Sequence, residues 1–342
     1  MEPVVQRFES SQGARVYRMP LELLPGFWGF AHLVLSDGFR ALIDTGIGFE
    51  TSNAALDRGL SAVRTVYGED AAWQRLTHVL VTHGHIDHHG GLRYVRGQTD
   101  APVGVHELDR RVLTRYEERL RLMTHRLRVF LIEAGVDSQE QAAILDLYRV
   151  HKQMFSSVPV DFTYEAEGMR VGPLTLTHVP GHCPGQVVMQ LDDILLVGDQ
   201  VLSEISPHQS PESLSDNTGL GHYLESLERI RPLSPGTRWT LGGHQDPIQD
   251  LGARLDAIEA LHRQRLQAVL ELLSVPRTIS EIAARLFPEV HGYNVLLALE
   301  ETGAHVEYLA QRGQIGLENL KAIDGADPVP LRYVRADGAA PS

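Results

Sequence analysis

Thr82-His83-Gly84-His85-Ile86-Asp87-His88-His89-Gly90-Gly91 sets four metal-binding side chains, His83, His85, Asp87 and His88, within six residues. That density does not suit a packed core, where a polar group without a partner is costly, and the spacing is too regular for an ordinary polar loop. The preceding run Thr77-His78-Val79-Leu80-Val81-Thr82 is β-branched and apolar, as a buried strand should be, and a helix can start at Leu92. The ligands therefore sit where a strand ends, the edge at which open α/β sheets place their chemistry. His83 and His85 alternate along one extended segment and can reach one ion. Asp87 and His88, a turn further on, can face a second.

Three later segments repeat the design. Leu174-Thr175-Leu176-Thr177-His178-Val179 leads to Pro180-Gly181-His182, Ile194-Leu195-Leu196-Val197 to Gly198-Asp199, and Trp239-Thr240-Leu241 to Gly242-Gly243-His244. Glycine beside each ligand allows tight turns and close backbone approach. Taken together, these residues follow an H-x-H-x-D-H, H, D, H pattern, and over about residues 15–250 the sequence resembles the metallo-β-lactamase superfamily. The resemblance implies an α/β fold, a four-layer αββα sandwich. It also implies that His83, His85 and His182 hold one divalent metal, that Asp87, His88 and His244 hold another, and that Asp199 bridges the two. Asp44, ending the strand Ala41-Leu42-Ile43, would support the metal loop through hydrogen bonds, where the residues alone also allow a simple Asx turn before Gly46. Pro180-Gly181-His182-Cys183-Pro184-Gly185-Gln186 resembles a loop of the hydroxyacylglutathione hydrolases (glyoxalase II), with Cys183 in place of threonine and Gln186 in place of histidine. A thiol there can coordinate or oxidise, or pack as a small hydrophobe.

Composition bounds the rest. A chain of 342 residues with 43% hydrophobic content supports one large domain and a small one. Its single cysteine excludes internal disulfides and suits a reducing compartment. Met1 to Arg7 lacks a charged start followed by an apolar run, and no segment reads as a membrane span, so the expected location is the cytoplasm. A formal net charge of −13 argues against indiscriminate binding to nucleic acid or anionic membranes.

In chain order, Arg15–Met19 and Ala31–Leu35 read as strands separated by Pro20, Pro25 and Gly26, and Thr51 to Val66 reads as a covering helix. A helical insert occupies about residues 107–160 of a catalytic domain spanning 1–250, with one apolar stripe at Leu113, Tyr116, Leu120, Met123, Leu127 and Phe130. The stripe can pack on the catalytic domain or form a homodimer contact. Its many arginines form either a solvated face or, at Arg115 and Arg119, a clamp for an anionic substrate group. The long polar loop after Asp199 offers His208, Asn217 and, just beyond it, Tyr223 as donors beside the metals.

Past His244, a long helix from Leu255, a capping box at Thr278-Ile279-Ser280-Glu281 and a helix over Tyr293–Gln311 resemble a winged-helix module over 251–323, followed by a flexible tail over 324–342. Winged helices often bind DNA, but Leu261 to Ile323 carries six Lys and Arg against seven Asp and Glu, which supplies phosphate contacts poorly. A structural role follows, and nucleic acid is not the expected partner.

The chemistry follows from the ligands. Two divalent ions can share a hydroxide that attacks an acyl carbon, with Asp87 orienting it and passing a proton to the leaving group. Zinc is the expected metal, and iron or manganese suits the same donors. The expected activity is hydrolysis of a small-molecule thioester, ester or lactone. The alternatives are a winged-helix single-strand endoribonuclease and a mononuclear iron persulfide dioxygenase. Flavo-diiron oxidoreductases would carry Glu at the position of His85. The β-CASP nucleases insert a domain between the Asp and the last His, but Asp199 and His244 are only 45 residues apart. Secreted β-lactamases lack the bridging Asp. Seven ligands also exceed the four that a structural site needs.

Overall fold

The computed structural model describes residues 3–336, in which the strand-forming runs assemble into two large sheets and one two-stranded sheet. The first contains β1 (Gln6–Glu9), β2 (Arg15–Leu24), β3 (Phe27–Ser36), β4 (Phe39–Ile43), β5 (His78–Leu80), β6 (Val103–Val105) and β7 (Phe162–Thr163), in that spatial order. It is antiparallel from β1 to β4 and parallel from β4 to β7. The second contains β8 (Arg170–Val171), β9 (Leu174–His178), β10 (Val187–Leu191), β11 (Ile194–Gly198) and β12 (Trp239–Gly242), antiparallel except for the β11–β12 pair. Their inner faces meet through Val16, Val34, Ala41, Ile43 and Leu80 on one side and Leu174, Leu176, Val187, Met189, Leu196 and Leu241 on the other. Each large aliphatic side chain among them contributes about 1.5–3 kcal/mol on burial, so the alternation along each strand fixes which face turns inward.

Pro20 does not end the first strand. It lies inside β2 opposite Phe30, because β1 pairs only with Arg15 to Arg18 and leaves the strand beyond without a neighbour that needs an N–H there. Helix α1 (Glu50–Tyr67) covers β2 and buries Ser52, Ala55, Leu56, Gly59, Leu60 and Val63 at helical spacing. Short helices α2 (Ile86–His89) and α3 (Leu92–Val95) follow the metal loop, and α4 (Glu107–Thr114) follows β6.

The chain falls into two compact units. The first holds the residues up to Tyr116, Ser156–Pro207 and Ser226–Leu255, and the second holds Glu117–Phe155, His208–Glu225 and the residues from Asp256 onward. This departs from the boundaries expected at 250 and around the insert. The helical insert breaks into α4, α5 (Tyr116–Glu133) and α6 (Ser138–Lys152), at Arg115 and at Gly135 with its φ of 76°. Helices α7 (Leu220–Ile230), α8 (Leu251–Leu272), α9 (Ile279–Leu286) and α10 (Tyr293–Gln311) follow in chain order. Within the second unit the end of α5 meets two of them: a Cβ on Gly303 of α10 would stand 2.9 Å from Phe130, and Ser280 N of α9 donates to Ala134 O at 2.8 Å. The stripe's partners are far away in sequence, which is why its spacing alone could not assign it.

The Thr278 capping box forms in full, with Thr278 N donating to Glu281 Oε2 at 2.9 Å and Glu281 N to Thr278 Oγ1 at 3.2 Å. After α10, β13 (Ile315–Leu317) pairs antiparallel with β14 (Tyr333–Arg335). The flexible tail expected from residue 324 is therefore corrected up to residue 336: Tyr333 exchanges hydrogen bonds with Arg277, and a paired strand is held. Its last residues, 337–342, lie outside the described residues. Among the described residues, no helix is long and apolar enough to cross a membrane.

Candidate metal centre

Parallel pairing sets the geometry. β4 and β5 run side by side with Ile43 opposite Leu80, so Asp44 and Thr82 leave the sheet together. In the other sheet Gly198 lies opposite Gly242, which delivers Asp199 and His244 to the same edge. Two backbone bonds tie the sheets at that edge, from Val187 N to Thr82 O (2.9 Å) and from Phe30 N to Gly243 O (2.8 Å).

All seven expected ligands converge there. His83, His85 and His182 form one group whose donor atoms lie within 4.8 Å of one another, and Asp87, His88 and His244 form another. Asp199 stands between them, its Oδ2 3.4 Å from His88 Nε2, 4.0 Å from His182 Nε2 and 3.3 Å from His244 Nε2. Asp87 Oδ2 lies 3.3 Å from His244 Nε2. No side chain fits at Gly243: a Cβ would meet Asp199 Oδ1 at 2.5 Å and His88 Cε1 at 2.6 Å.

The ring orientations are set from behind. Asp44 adopts a φ of 61°, which Asp tolerates, and its Oδ1 accepts from Thr82 N at 2.8 Å. Its Oδ2 accepts from Thr82 Oγ1 (2.7 Å) and from His88 Nδ1 (2.8 Å). With its proton given to Asp44, the Thr82 hydroxyl accepts from His83 Nδ1 at 3.1 Å. His244 Nδ1 donates to Trp28 O at 2.9 Å. In each case Nδ1 donates away from the cluster and Nε2 faces it, so a metal that displaces any proton on Nε2 would meet its lone pair. Asp44 is thus more than a turn residue. Sequence reading missed Thr82 and the Trp28 carbonyl; the position of Thr82 directly before the first His was available as a signal, whereas a backbone carbonyl leaves none.

Electrostatics agree with the donor set. Burial, then the neighbouring His88 and His85, hold His83 well below the usual imidazole range. Burial opposes ionisation of Asp199 and Asp87, yet the nearby histidines outweigh it and hold both carboxyls below their ordinary values. Burial likewise opposes protonation of His88 and His244, but Asp199 and its carboxylate neighbours raise both, His244 to about 10. The surrounding carboxylates thus favour protonation of His88 and His244, and divalent ions can take over that charge while releasing the protons. Asp199 Oδ1 is buried without a hydrogen-bond partner. These residues fit two divalent ions.

The weaker candidates fare differently. Arg115 is exposed at the end of α4, and Arg119 is half-buried in α5. His208 bonds Glu300 at 2.8 Å and Asn217 is a turn residue with a φ of 64°. Tyr223 is buried in the second unit with its ring 5.6 Å from that of His262, a core position instead of the pocket-facing one expected for it. Cys183 is buried, and Gln186 braces β10 and β11 through Val187 O and Val197 O at 3.1 and 3.4 Å.

In the second unit His262, Glu301 and His305 also approach one another. Their donors are already committed: His305 Nδ1 donates to Glu301 O (2.7 Å), His262 Nδ1 to His305 Nε2 (3.1 Å), and Arg265 Nη1 to Glu301 Oε1 (2.7 Å). Burial lowers His262 to about 3, so the pair is neutral, and Arg265 supplies the cation. This is a hydrogen-bonded core network.

The chain is 24% identical over 293 residues to the probable metallo-hydrolase YqjP of Bacillus subtilis (strain 168), covering 81% of this chain and 86% of the relative. The crystal structure of the metallo-beta-lactamase family protein TTHA1429 from Thermus thermophilus is similar at a TM-score of 0.70 and 27% identity, covering 94% of this chain and 98% of that one. A beta-lactamase domain protein from Burkholderia ambifaria is similar at a TM-score of 0.74 and 25% identity, covering 97% and 94%. Residues 26–244 match the Metallo-beta-lactamase superfamily pattern, a span that contains every ligand from His83 to His244, and the chain belongs to that superfamily.

Proposed function

We propose that the protein is a hydrolase that binds two divalent metal ions, zinc foremost, and cleaves a small-molecule thioester, ester or lactone. The observation that carries this reading is the pair of facing triads with Asp199 between them. Divalent ions held there lower the pKa of water and polarise a carbonyl oxygen, which is the chemistry that acyl hydrolysis requires.

The chain's own residues supply the rest. Asp199 stands between the triads and brings one negative charge within 4.0 Å of a histidine in each. The Asp87 side chain is 24% exposed where that of Asp199 is 10%, so Asp87 is the carboxylate that can take a proton from the attacking water at Oδ2 and pass that same proton to the leaving group. Phe27, itself 48% exposed, stacks on His244 with ring centroids 5.0 Å apart, and Leu24 is exposed nearby on the same hairpin. That apolar edge suits the hydrocarbon part of an acyl group. The order of helices and hairpin after residue 250 supports a winged-helix arrangement, and its balance of acidic and basic residues supports a structural role for it.

The test is turnover of metal-loaded protein on acyl-glutathione and acyl-CoA thioesters, lactones, aryl esters and single-stranded RNA, with Asp87→Ala as control. Cleavage of an acyl substrate that the substitution abolishes is the expected result. Cleavage of RNA alone overturns the proposal.

A further inference from the structure

The hydrolytic scheme leaves the buried carboxylate of Asp109 unused. Asp109 shows no solvent exposure and lies on the inward face of α4 with Val112 and Leu113. Its Oδ2 accepts from Gly84 N at 2.7 Å and its Oδ1 from Gly185 N at 3.0 Å, and the Cys183 thiol donates from 3.5 and 3.6 Å. Gly84 separates His83 from His85, and Cys183 and Gly185 follow His182. These three donors therefore all belong to segments that carry one triad. The glycines are required by the approach: a Cβ on Gly185 would stand 2.4 Å from Asp109 Cγ, and one on Gly84 3.0 Å. Asp44, by contrast, bonds His88 directly and reaches His83 through Thr82.

We propose that Asp109 is a positioning residue which clamps the loop of His83 and His85 to the loop of His182, so that metal affinity at this triad, and not at Asp87, His88 and His244, depends on it. The proposal rests on the two-metal reading above. The physical basis is that both loops are held by backbone N–H groups, which only an acceptor at both oxygens can satisfy. Asparagine would turn an N–H₂ group toward one of the two donors and release one loop.

Zinc titration of the full-length protein against a competing chelator tests this without any substrate. The wild type is expected to take up two equivalents. Asp109→Asn is expected to weaken one of them about 10- to 100-fold, the range seen when residues that orient metal ligands are changed, and to leave the other in place. Adding His182→Ala to Asp109→Asn is expected to abolish the already weakened equivalent and leave the other in place, whereas adding His244→Ala is expected to weaken both, because only the first pair acts on one site. Equal weakening of both equivalents, or no change in either, overturns the proposal. If Asp109→Asn does not fold, Cys183→Ala removes one donor only and is expected to weaken the same equivalent by a smaller factor; an unchanged equivalent overturns it. A wild type that takes up one equivalent refutes the two-metal reading instead, and the clamp then requires that Asp109→Asn weaken that equivalent only if His182→Ala does.

Discussion

Asp44→Asn changes one atom and should disable both triads. Asparagine keeps the volume of aspartate and tolerates the φ of 61°, so the perturbation is confined to hydrogen-bond polarity. Its amide oxygen must stay on Thr82 N, since the opposite rotamer sets two buried N–H groups against each other at a cost of about 1–3 kcal/mol. The amide N–H₂ then occupies the place of Oδ2, facing Thr82 Oγ1 and His88 Nδ1. His88 can meet it only with a lone pair at Nδ1, which moves the ring proton to Nε2, the atom facing Asp199. Thr82 now accepts from the amide and turns its own hydrogen toward His83 Nδ1, with the same consequence for that ring. Both imidazoles would present N–H where a metal needs a lone pair. A loss of about 10- to 100-fold in affinity at each site follows, equivalent to about 1.4–2.8 kcal/mol. Zinc competition titrations measure it, with the unfolding midpoint of metal-free protein as the check on folding. A folded Asp44→Asn protein that binds zinc as tightly as the wild type would refute the tautomer argument.

Removal of metal by a chelator should lower the unfolding midpoint of the wild type, since a ligand at 100 times its dissociation constant adds about 2.7 kcal/mol to folding; scanning calorimetry with and without zinc reads this, and identical traces count against a metal centre. A pH effect is expected away from the ligands. Burial disfavours protonated His208, but its bond to Glu300 and the charges of Glu300 and Glu301 raise its pKa above the ordinary 6.5. A raised folded-state pKa means the stabilisation is complete below 6.5 and is lost as pH rises through the folded value. His208→Gln should therefore destabilise more at about pH 6 than at about pH 9, and a gap in midpoint that does not change with pH argues against the pairing.

The candidate metal centre was legible because the residues that would form it are patterned locally. Four ligands within six residues, and glycine beside each of the later three, force strand-end loops whatever surrounds them, and the apolar runs before them could only be strands. The ends of α10 and the Thr278 capping box were equally plain, since caps and 3.6-residue spacing act over one turn. Tertiary structure decided what depends on distant partners. Pro20 reads as a break until β1 proves too short to need its N–H, and the arginine-bearing stripe reads as part of the catalytic domain until Ala134 and Phe130 find partners on α9 and α10. Tyr223, a reasonable pocket donor in sequence, is turned inward against His262. Asp109 sits among arginines in sequence and among metal loops in space. Ligand identity is a property of residue type and spacing, which the chain carries in one dimension. What holds the ligands in place is a set of hydrogen bonds between residues tens of positions apart, and those exist only once the sheets have brought their ends together.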